Sequence, residues 1–288
     1  EERRPGVWAL DAGLETKLRQ LGERADTYRM MERALKQAGI ERGGPQLAVF
    51  ERGRRTAPVI SKVVAVGLVD EITDRQYVIV DGADGRVHYA ELGRLRPDET
   101  PARGMIVSLM SDRLEGKPRS TPRLTVLSPV GLERLPTYDG PTWLDRAAVS
   151  KERISAGPIG FGAELSHALD ERRRWLDRQL AEFKPSGELM PRPQLLTALQ
   201  QRERAHLAEA LSRQLNASYV PNEPGSRVSG VYERSISTPS GKLAVIRRED
   251  TFKLAPWTAA LEPMRGQMVI GAVGPQRVVW TLDRGRGL

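Results

Sequence analysis

Acidic side chains cluster at two predicted turns, and carboxylates are the protein groups that bind Mg²⁺ and Ca²⁺. Asp70, Glu71 and Asp74 share the first turn, and Asp81 and Asp84 share the second. The second cluster lacks the length and the terminal Glu of an EF-hand loop. Aspartate is also a normal residue of hairpin turns, because its carboxylate accepts hydrogen bonds from nearby backbone amides. The pattern therefore favours turns, and a metal-dependent nuclease that uses Asp70, Glu71 and Asp74 is a remote alternative.

Other groups that commonly carry catalysis are scarce or scattered. His88, His167 and His206 are far apart, and no His-x-His or His-Glu-x-x-His motif is present, so imidazole-based metal chemistry is not predicted. The chain has no cysteine, which excludes disulfides, thiolate zinc sites and cysteine nucleophiles. The glycine-rich segment 157–162 lacks the Lys-Ser/Thr of a P-loop and indicates a loop that leads into a helix. We therefore predict no catalytic residue, metal or cofactor in this chain.

Basic side chains are the stronger signal, and they indicate binding. The formal net charge is +8, and Arg outnumbers Lys, which favours bidentate contacts to phosphate. Solvated helix faces and genome composition are the ordinary alternatives, because acidic residues lie among the arginines. The candidate nucleic-acid contacts are Arg172, Arg173, Arg174, Arg178, Arg247, Arg248, Arg284 and Arg286. The aromatic residues that could stack on bases are Trp143, Trp175, Trp257, Trp280, Tyr77, Tyr89 and Tyr232. Most of them are expected to pack in cores.

Segment 44–112 has the alternating apolar pattern of β-strands, and two of its runs flank a five-residue Asp/Gly loop, as in a hairpin. The predicted strands are 47–50, 60–69, 75–80, 86–92 and 104–109. Five short strands suit a small closed barrel of the oligonucleotide-binding (OB) or SH3-like type. We therefore predict a first small β-barrel domain over 44–112.

Helical spacing of apolar residues occurs before this domain and again in the middle of the chain. Residues 1–43 are predicted to be a helical segment, and the end of a winged-helix unit is one interpretation of it. An opening strand without a partner suggests that the chain starts inside a larger protein. Residues 113–160 are predicted to be a Pro-rich basic linker. Residues 161–217 are predicted to form an antiparallel helical pair.

The β pattern returns over 218–288, with candidate strands at 228–232, 242–246, 251–257, 267–271 and 277–282. Because the order of strands and turns echoes the first β-domain, a second, related small barrel is predicted. The fold class is therefore α+β, with two small five-stranded β-barrel-like domains joined by a helical pair. No run is long enough for a membrane-spanning helix and no signal peptide is visible, so a soluble, cytoplasmic protein is expected.

The stretch 66–93 resembles the C-terminal region, a domain of unknown function, of relaxases. These are the mobilization nucleases of conjugative plasmids and integrative elements of Gram-negative bacteria. The likeness covers nearly the whole chain, with further matching segments at 6–10, 21–24, 132–134, 142–146, 230–232, 252–257 and 280–287. The residues that carry it are Gly67, Asp70, Glu71, Asp74, Tyr77, Gly85, His88, Tyr89, Trp143, Leu144, Asp145, Pro256, Trp257 and Trp280.

The resemblance implies a non-catalytic accessory module. Relaxases nick the transfer origin with a Tyr nucleophile and a His-coordinated metal in an N-terminal domain, and no His-hydrophobe-His motif occurs here. The implied partners are DNA, single-stranded or duplex, near a transfer origin, and the type IV coupling protein or other secretion components. Similar proteins commonly carry an extra helical segment where this chain has a Pro-rich stretch around Lys117.

Two hypotheses about the molecular role stay open. In the first, the module assists plasmid transfer by contacting DNA, by presenting a recognition surface to the coupling protein, or by both. In the second, it is purely a protein-interaction scaffold for secretion and binds no DNA. In both, this chain is not an enzyme, and the parent protein is expected to be a DNA-nicking relaxase that enters the recipient cell.

Overall fold

The structure is a computed structural model. It describes residues 2–4, 7–8, 13–50, 57–70, 72–96, 99–111, 122–145, 156–183, 192–223, 225–274 and 278–281. A short hairpin opens the chain, in which β1 (Glu2–Arg4) pairs with β2 (Val7–Trp8). The opening strand thus has a partner, which the sequence did not predict. Within these ranges, no helix combines the length and the apolar composition needed to cross a bilayer.

α1 (Leu14–Ala38) is one continuous helix that runs through Gly22. The helix ends at Gly39, whose left-handed backbone (φ 67°) lets its N–H bond to the carbonyls of Leu35 and Lys36. Met31 and Leu35 are buried, and both belong to the C-terminal half of the helix.

A six-stranded sheet follows α1, and we call α1 and this sheet the first unit. Its strands are β3 (Leu47–Val49), β4 (Val59–Asp70), β5 (Arg75–Gly82), β6 (Val87–Arg94), β7 (Ile106–Met110) and β8 (Arg123–Ser128). The order across the sheet is β3-β6-β5-β4-β7-β8. β3 runs parallel to β6, and every other pair is antiparallel.

Both faces of this first sheet are buried. On one face, α1 packs through Met31 and Leu35 onto residues of β4, β5 and β6. The opposite face buries Val63, Val78 and Val107 among other strand residues, and no described helix belongs to this cluster. Because side chains from β4 to β7 meet there directly, with Leu124 of β8 against them, the sheet must curl over this face.

Two long helices, α2 (Gly160–Phe183) and α3 (Arg192–Leu215), occupy the stretch predicted to form a helical pair. The first half of α2 packs through Phe161 and Leu165 on Ile106 and on the segment 132–144. Farther along α2, Trp175 contacts Leu195 and Leu199 of α3. α2 therefore joins the first unit to the second half of the chain.

The second sheet, together with α3, forms what we call the second unit. Its strands are β9 (Ser218–Tyr219), β10 (Arg227–Thr238), β11 (Gly241–Arg248), β12 (Thr251–Pro256), β13 (Met268–Val273) and β14 (Val278–Thr281). α3 packs on one face through Ala208 and Leu211. A 3₁₀ turn (Ala259–Met264) covers the other face with Leu261.

The two sheets have the same topology. Read from β9, the second sheet has the order β9-β12-β11-β10-β13-β14, which repeats the first sheet strand for strand. In each, the first strand is parallel to the fourth and all other pairs are antiparallel. Each unit also begins with a helix that packs on its own sheet.

The predicted five-stranded barrels are corrected by this arrangement. Among the described residues, each sheet has six strands and remains open, because its two edge strands are not bonded to each other. One added strand, β8, falls in the stretch predicted to be a linker, where exposed Arg123 and Thr125 dilute the apolar pattern. The other, β9, has only two residues, which is too short for any periodicity to show.

Candidate partner-binding surface

Arg172, a predicted nucleic-acid contact, is buried inside the protein. Only 1% of the residue is exposed. Its guanidinium donates from Nε to Oδ1 of Asp145 at 2.7 Å and from Nη2 to Oδ2 at 3.0 Å. It also donates to the carbonyls of Tyr138 and Gly140, both at 2.7 Å, and lies 4.3 Å from the ring centroid of Trp175. The prediction that Arg172 contacts nucleic acid is therefore wrong.

The sequence held a signal for this burial. Arg172 follows Leu165 by seven residues and Leu169 by three, so it lies on the apolar stripe of α2 rather than beside it. Its partner Asp145 is one of the residues that carry the family resemblance, and Asp145 also accepts the backbone N–H of Thr142 at 2.6 Å. Residues 142–145 of this matching segment therefore stabilise the fold. Trp143 and Leu144 lie in the core that α2 forms with Ile106.

A second polar cluster, partly buried, joins three parts of the chain. Glu203 of α3 accepts a hydrogen bond from Tyr138 Oη at 2.6 Å and another from Ser240 Oγ at 2.6 Å. Ser240 lies in the turn between β10 and β11 of the second unit. Burial, reinforced by the hydrogen bond to Glu203, raises the pKa of Tyr138. The tyrosine is thus held as a neutral donor, and sequence reasoning missed this cluster.

The acidic turn residues make local structural contacts. Asp70 accepts the Ile72 N–H at 2.9 Å and the Thr73 hydroxyl at 2.8 Å, and these hydrogen bonds lower the pKa of Asp70. Asp74 pairs with Arg94 at 2.5 Å. Glu71 lies outside the described residues. Within the described part of the chain, no group of three or more His or acidic residues could hold a metal ion.

The second acidic turn supports the start of α2. Asp81 is buried, accepts the Phe161 N–H at 3.3 Å and pairs with Arg42 at 3.3 Å. Burial raises the pKa of Asp81, against the opposing charge of Arg42. Asp84 is bonded to Nε2 of His88 at 2.9 Å. Burial opposes ionisation of Asp84, but the hydrogen bond and charge of His88 outweigh it and lower the pKa of Asp84.

The remaining candidate arginines are on the surface or outside the described residues. Arg173 is exposed and pairs with Asp170 at 2.7 Å. Arg174 and Arg178 are exposed on α2. Arg247 and Arg248 end β11, and Arg248 is exposed. Arg284 and Arg286 lie outside the described residues, as does Lys117.

The remaining resemblance residues in the first unit belong to its turns and its core. Tyr77 stacks on Tyr89 with ring centroids 5.2 Å apart. Its ring covers Gly67, where a Cβ would lie 2.6 Å from Tyr77 Oη. Gly85 takes a left-handed conformation (φ 80°) in the turn before β6, as that turn requires.

The candidate stacking residues of the second unit, Tyr232, Trp257 and Trp280, lie on the face that the 3₁₀ turn covers. Trp257 follows Pro256, donates from Nε1 to Tyr232 Oη at 3.0 Å and lies beneath Lys242. Trp280 covers Gly271, where a Cβ would lie 2.8 Å from the indole ring. The expectation that most candidate stacking residues pack in cores is confirmed for these rings, which belong to or pack against one buried cluster.

The α3 side of the second sheet is covered over only part of its width. Phe252 packs under α3, and the strand register places Arg247 opposite Phe252 and Val231 opposite Arg247. Directly paired residues of antiparallel strands lie on the same face of a sheet. The face beneath α3 therefore continues across β10 and onward to β13 and β14.

This continuation is apolar and exposed, and we call it the open face. Its large apolar side chains, between 37% and 58% exposed, are Val231, Met268, Ile270 and Val279. The strand register places them side by side. Val231 is opposite Met268, and Val279 is opposite Ala272, which follows Ile270 by two residues on the same face. Contiguous exposed apolar surface of this kind marks interaction sites. The sequence signal for the open face was the run 268–272. It contains no polar side chain, so it places apolar residues on both faces of the strand.

Arginines border the open face. Arg247 lies beside Val231 in the register, and Arg227 lies opposite Ala272. Arg234, farther along β10, donates from Nη2 to Gln214 of α3 at 2.6 Å. An apolar centre with a basic border fits a partner that carries apolar and acidic groups.

Comparison with known proteins gives a family match. The profile of a family described as "Protein of unknown function (DUF3363)" matches residues 1–121 and 112–288. No curated protein and no solved structure matches the chain.

Proposed function

Since the chain belongs to the DUF3363 family of proteins of unknown function, we propose that it is a non-catalytic accessory module of a conjugative relaxase that binds partner macromolecules. The observation that carries the proposal is the open face, where four large apolar side chains are exposed beside Arg227 and Arg247. The buried ionic groups support the non-catalytic part of the proposal, because the hydrogen bonds of Arg172, Asp145 and Glu203 hold the fold together.

The open face favours a protein as its partner. Stacking of nucleic-acid bases needs exposed aromatic rings, and the rings of Tyr232, Trp257 and Trp280 belong to or pack against the cluster on the opposite face. DNA contact in this proposal is limited to phosphates and uses Arg247 and Arg248. The resemblance to relaxases supports the type IV coupling protein as the partner of the open face.

The protein arm is tested by placing a charge on the open face. Met268→Asp should abolish capture of the purified coupling protein in a surface-binding assay and should lower transfer of the plasmid, because an aspartate cannot be desolvated against an apolar partner. Ile72→Asp is the matched control, since Ile72 is 92% exposed in the β4–β5 turn. Equal capture by wild type and Met268→Asp would contradict this arm.

The DNA arm is tested by fluorescence anisotropy with single-stranded and duplex origin DNA over a salt series. Loss of two phosphate contacts in Arg247→Glu/Arg248→Glu should reduce the slope of log affinity against log salt by about 2. Arg213→Glu, at an exposed site of α3 outside the candidate contacts, is the control.

The pure scaffold without DNA binding is the second candidate, and the location of the aromatic rings favours it. It predicts a different result in the same titration. Wild type and the double variant would then bind DNA with the same weak, salt-sensitive affinity, while Met268→Asp would still lose the coupling protein.

A further inference from the structure

Among the residues that the structure describes, the apolar side chains in the N-terminal half of α1 join no buried cluster. Leu18 and Leu21 are 58% and 61% exposed, and Tyr28 is exposed as well. The helix packs on its sheet only through its C-terminal half, where Met31 and Leu35 are buried. A helix that exposes an ordered apolar stripe over four turns presents a surface for another helix.

The stripe has the spacing of a coiled-coil seam. Leu14, Leu18, Leu21, Ala25 and Tyr28 follow one another at alternating intervals of four and three residues. This is the heptad interval that keeps one side of a helix facing a partner helix. The next seam position after Tyr28 is Glu32, which is charged. The apolar seam therefore ends where the helix begins to pack on its own sheet.

In the second unit, the equivalent helix is α3, and another helix covers its N-terminal half. α3 also packs on its sheet through its C-terminal half, with Ala208 and Leu211 buried. Its N-terminal half is covered by another helix, because Leu195 and Leu199 contact Trp175 of α2. The two units share their strand order, but within the described ranges another helix packs on the N-terminal half of α3 and none packs on that of α1.

Gly22 lies beside the seam at the middle of the stripe. A glycine inside a helix weakens it, and a Cβ at Gly22 would meet no atom within 4 Å. The fold of one copy therefore gives no packing reason for a glycine there. A second helix that crosses close to this point gives one, because the missing side chain lets two backbones approach.

We propose that the N-terminal half of α1 pairs with α1 of a second copy of this chain in antiparallel orientation. In the register that places Leu18 opposite Tyr28 and Leu21 opposite Ala25, Gly22 faces its own copy. Glu15 then faces Arg29 of the other copy, twice in the symmetric pair. One like-charge contact, between Arg24 and its copy, opposes these two.

Charge also selects the orientation. In a parallel pair, Arg24 of each copy would face Arg29 of the other, which gives two repulsive contacts and no attractive one. Within one copy, Glu15 pairs with Arg19 and Arg29 pairs with Asp26, but these pairs are exposed and give up little when they rearrange. Because the seam is short, the interface between the two copies should be weak. The average molar mass in solution should therefore rise with protein concentration.

Sedimentation equilibrium of the full chain, from micromolar to near-millimolar concentration, tests the association. Wild type should shift from monomer to dimer, and Leu18→Asp/Leu21→Asp should remain monomeric with unchanged circular dichroism. Leu68→Asp, at an exposed leucine of β4, should dimerise as wild type does. A wild-type chain that stays monomeric throughout overturns the proposal, including the case in which a different protein occupies the stripe.

Charge reversal tests the register. Glu15→Arg and Arg29→Glu should each weaken dimerisation about tenfold, because two attractions become two repulsions. The double variant should return to the wild-type dissociation constant, and Arg24→Gln should tighten it. A double variant that is as weak as the single variants overturns the register.

Cross-linking tests the orientation, and the absence of cysteine from the chain makes the assay clean. Gly22→Cys should form a disulfide-linked dimer, because the two residues face each other across the twofold axis. Leu14→Cys should not, because in the antiparallel pair the two copies of this residue lie at opposite ends. The reverse result would show a parallel pair and overturn the proposal.

Discussion

The first and second units place six strands in the same order, but different structures cover the helix side of each sheet. In the first unit, α1 covers part of that side, and α2 with the segment 132–144 covers the rest, over Ile60 and Ile106. In the second unit, α3 covers part of the side and the rest is the open face. The same stretch of the same strand frame is therefore core in one unit and surface in the other.

This difference shows that strand pairing does not decide which apolar residues become core. Ile106 of β7 and Ile270 of β13 are both on the fifth strand of their unit and on its helix side. Ile106 is fully buried, whereas Ile270 is exposed. Both strands are apolar enough to be covered on two faces. In the described part of the chain, the open face is thus the part of the repeated arrangement that no helix covers.

Removal of the Arg172 side chain should have the largest effect, because it loosens the cover of the first unit. Arg172→Ala leaves the Asp145 carboxylate buried without its partner, and we expect a loss of about 3–5 kcal/mol in the free energy of unfolding. Urea denaturation measures it. The neighbouring Arg173→Ala should change stability by no more than about 0.5 kcal/mol. A similar small loss in both variants would contradict the role given to Arg172.

Truncation of the two matched isoleucines tests the comparison directly. Ile106→Ala should cost about 2–5 kcal/mol, because it opens a cavity under α2. Ile270→Ala should cost at most about 0.5 kcal/mol, because its side chain is already in contact with water. Thermal unfolding of the isolated chain measures both. Equal losses would mean that the open face is covered in solution.

Tyr138→Phe should weaken the link between the units by an intermediate amount. It leaves an oxygen of Glu203 without its donor, and we expect a loss of about 1–3 kcal/mol. Tyr28→Phe, at an exposed tyrosine, is the control. Since burial raises the pKa of Tyr138 in the folded state, wild type should also lose stability as pH rises above about 10, where the unfolded tyrosine ionises. Tyr138→Phe should lack that contribution.

The smallest effect on the free energy of unfolding is expected at the turn between the third and fourth strands. In the first unit this turn contains Asp84, whose pKa is lowered in the folded state. Its contribution to stability is present above the ordinary aspartate pKa of about 3.9 and is lost as pH falls through the folded pKa. Asp84→Asn should flatten the acid side of the stability profile by less than about 1 kcal/mol, because the side chain is partly exposed. An unchanged acid side would contradict this contribution.

Local patterns in the sequence predicted most of the elements but not the contacts between distant residues. Helical spacing predicted α2 and α3, and the alternation of apolar residues predicted ten of the strands. The pair Tyr138 and Glu203 is separated by 65 positions, so no local rule joins them. The open face was missed because the sequence shows which residues can be buried, whereas the number of covering helices depends on tertiary packing.

α2 has a further consequence for partners that touch both units. One end of this helix is held in the core of the first unit and the other end against α3, so the two units are not joined by a flexible tether alone. A bivalent partner would meet two attachment points at a set span, and its second contact would need little search through conformational space. Binding strength would then depend on how well the spacing of the partner's own contacts matches that span.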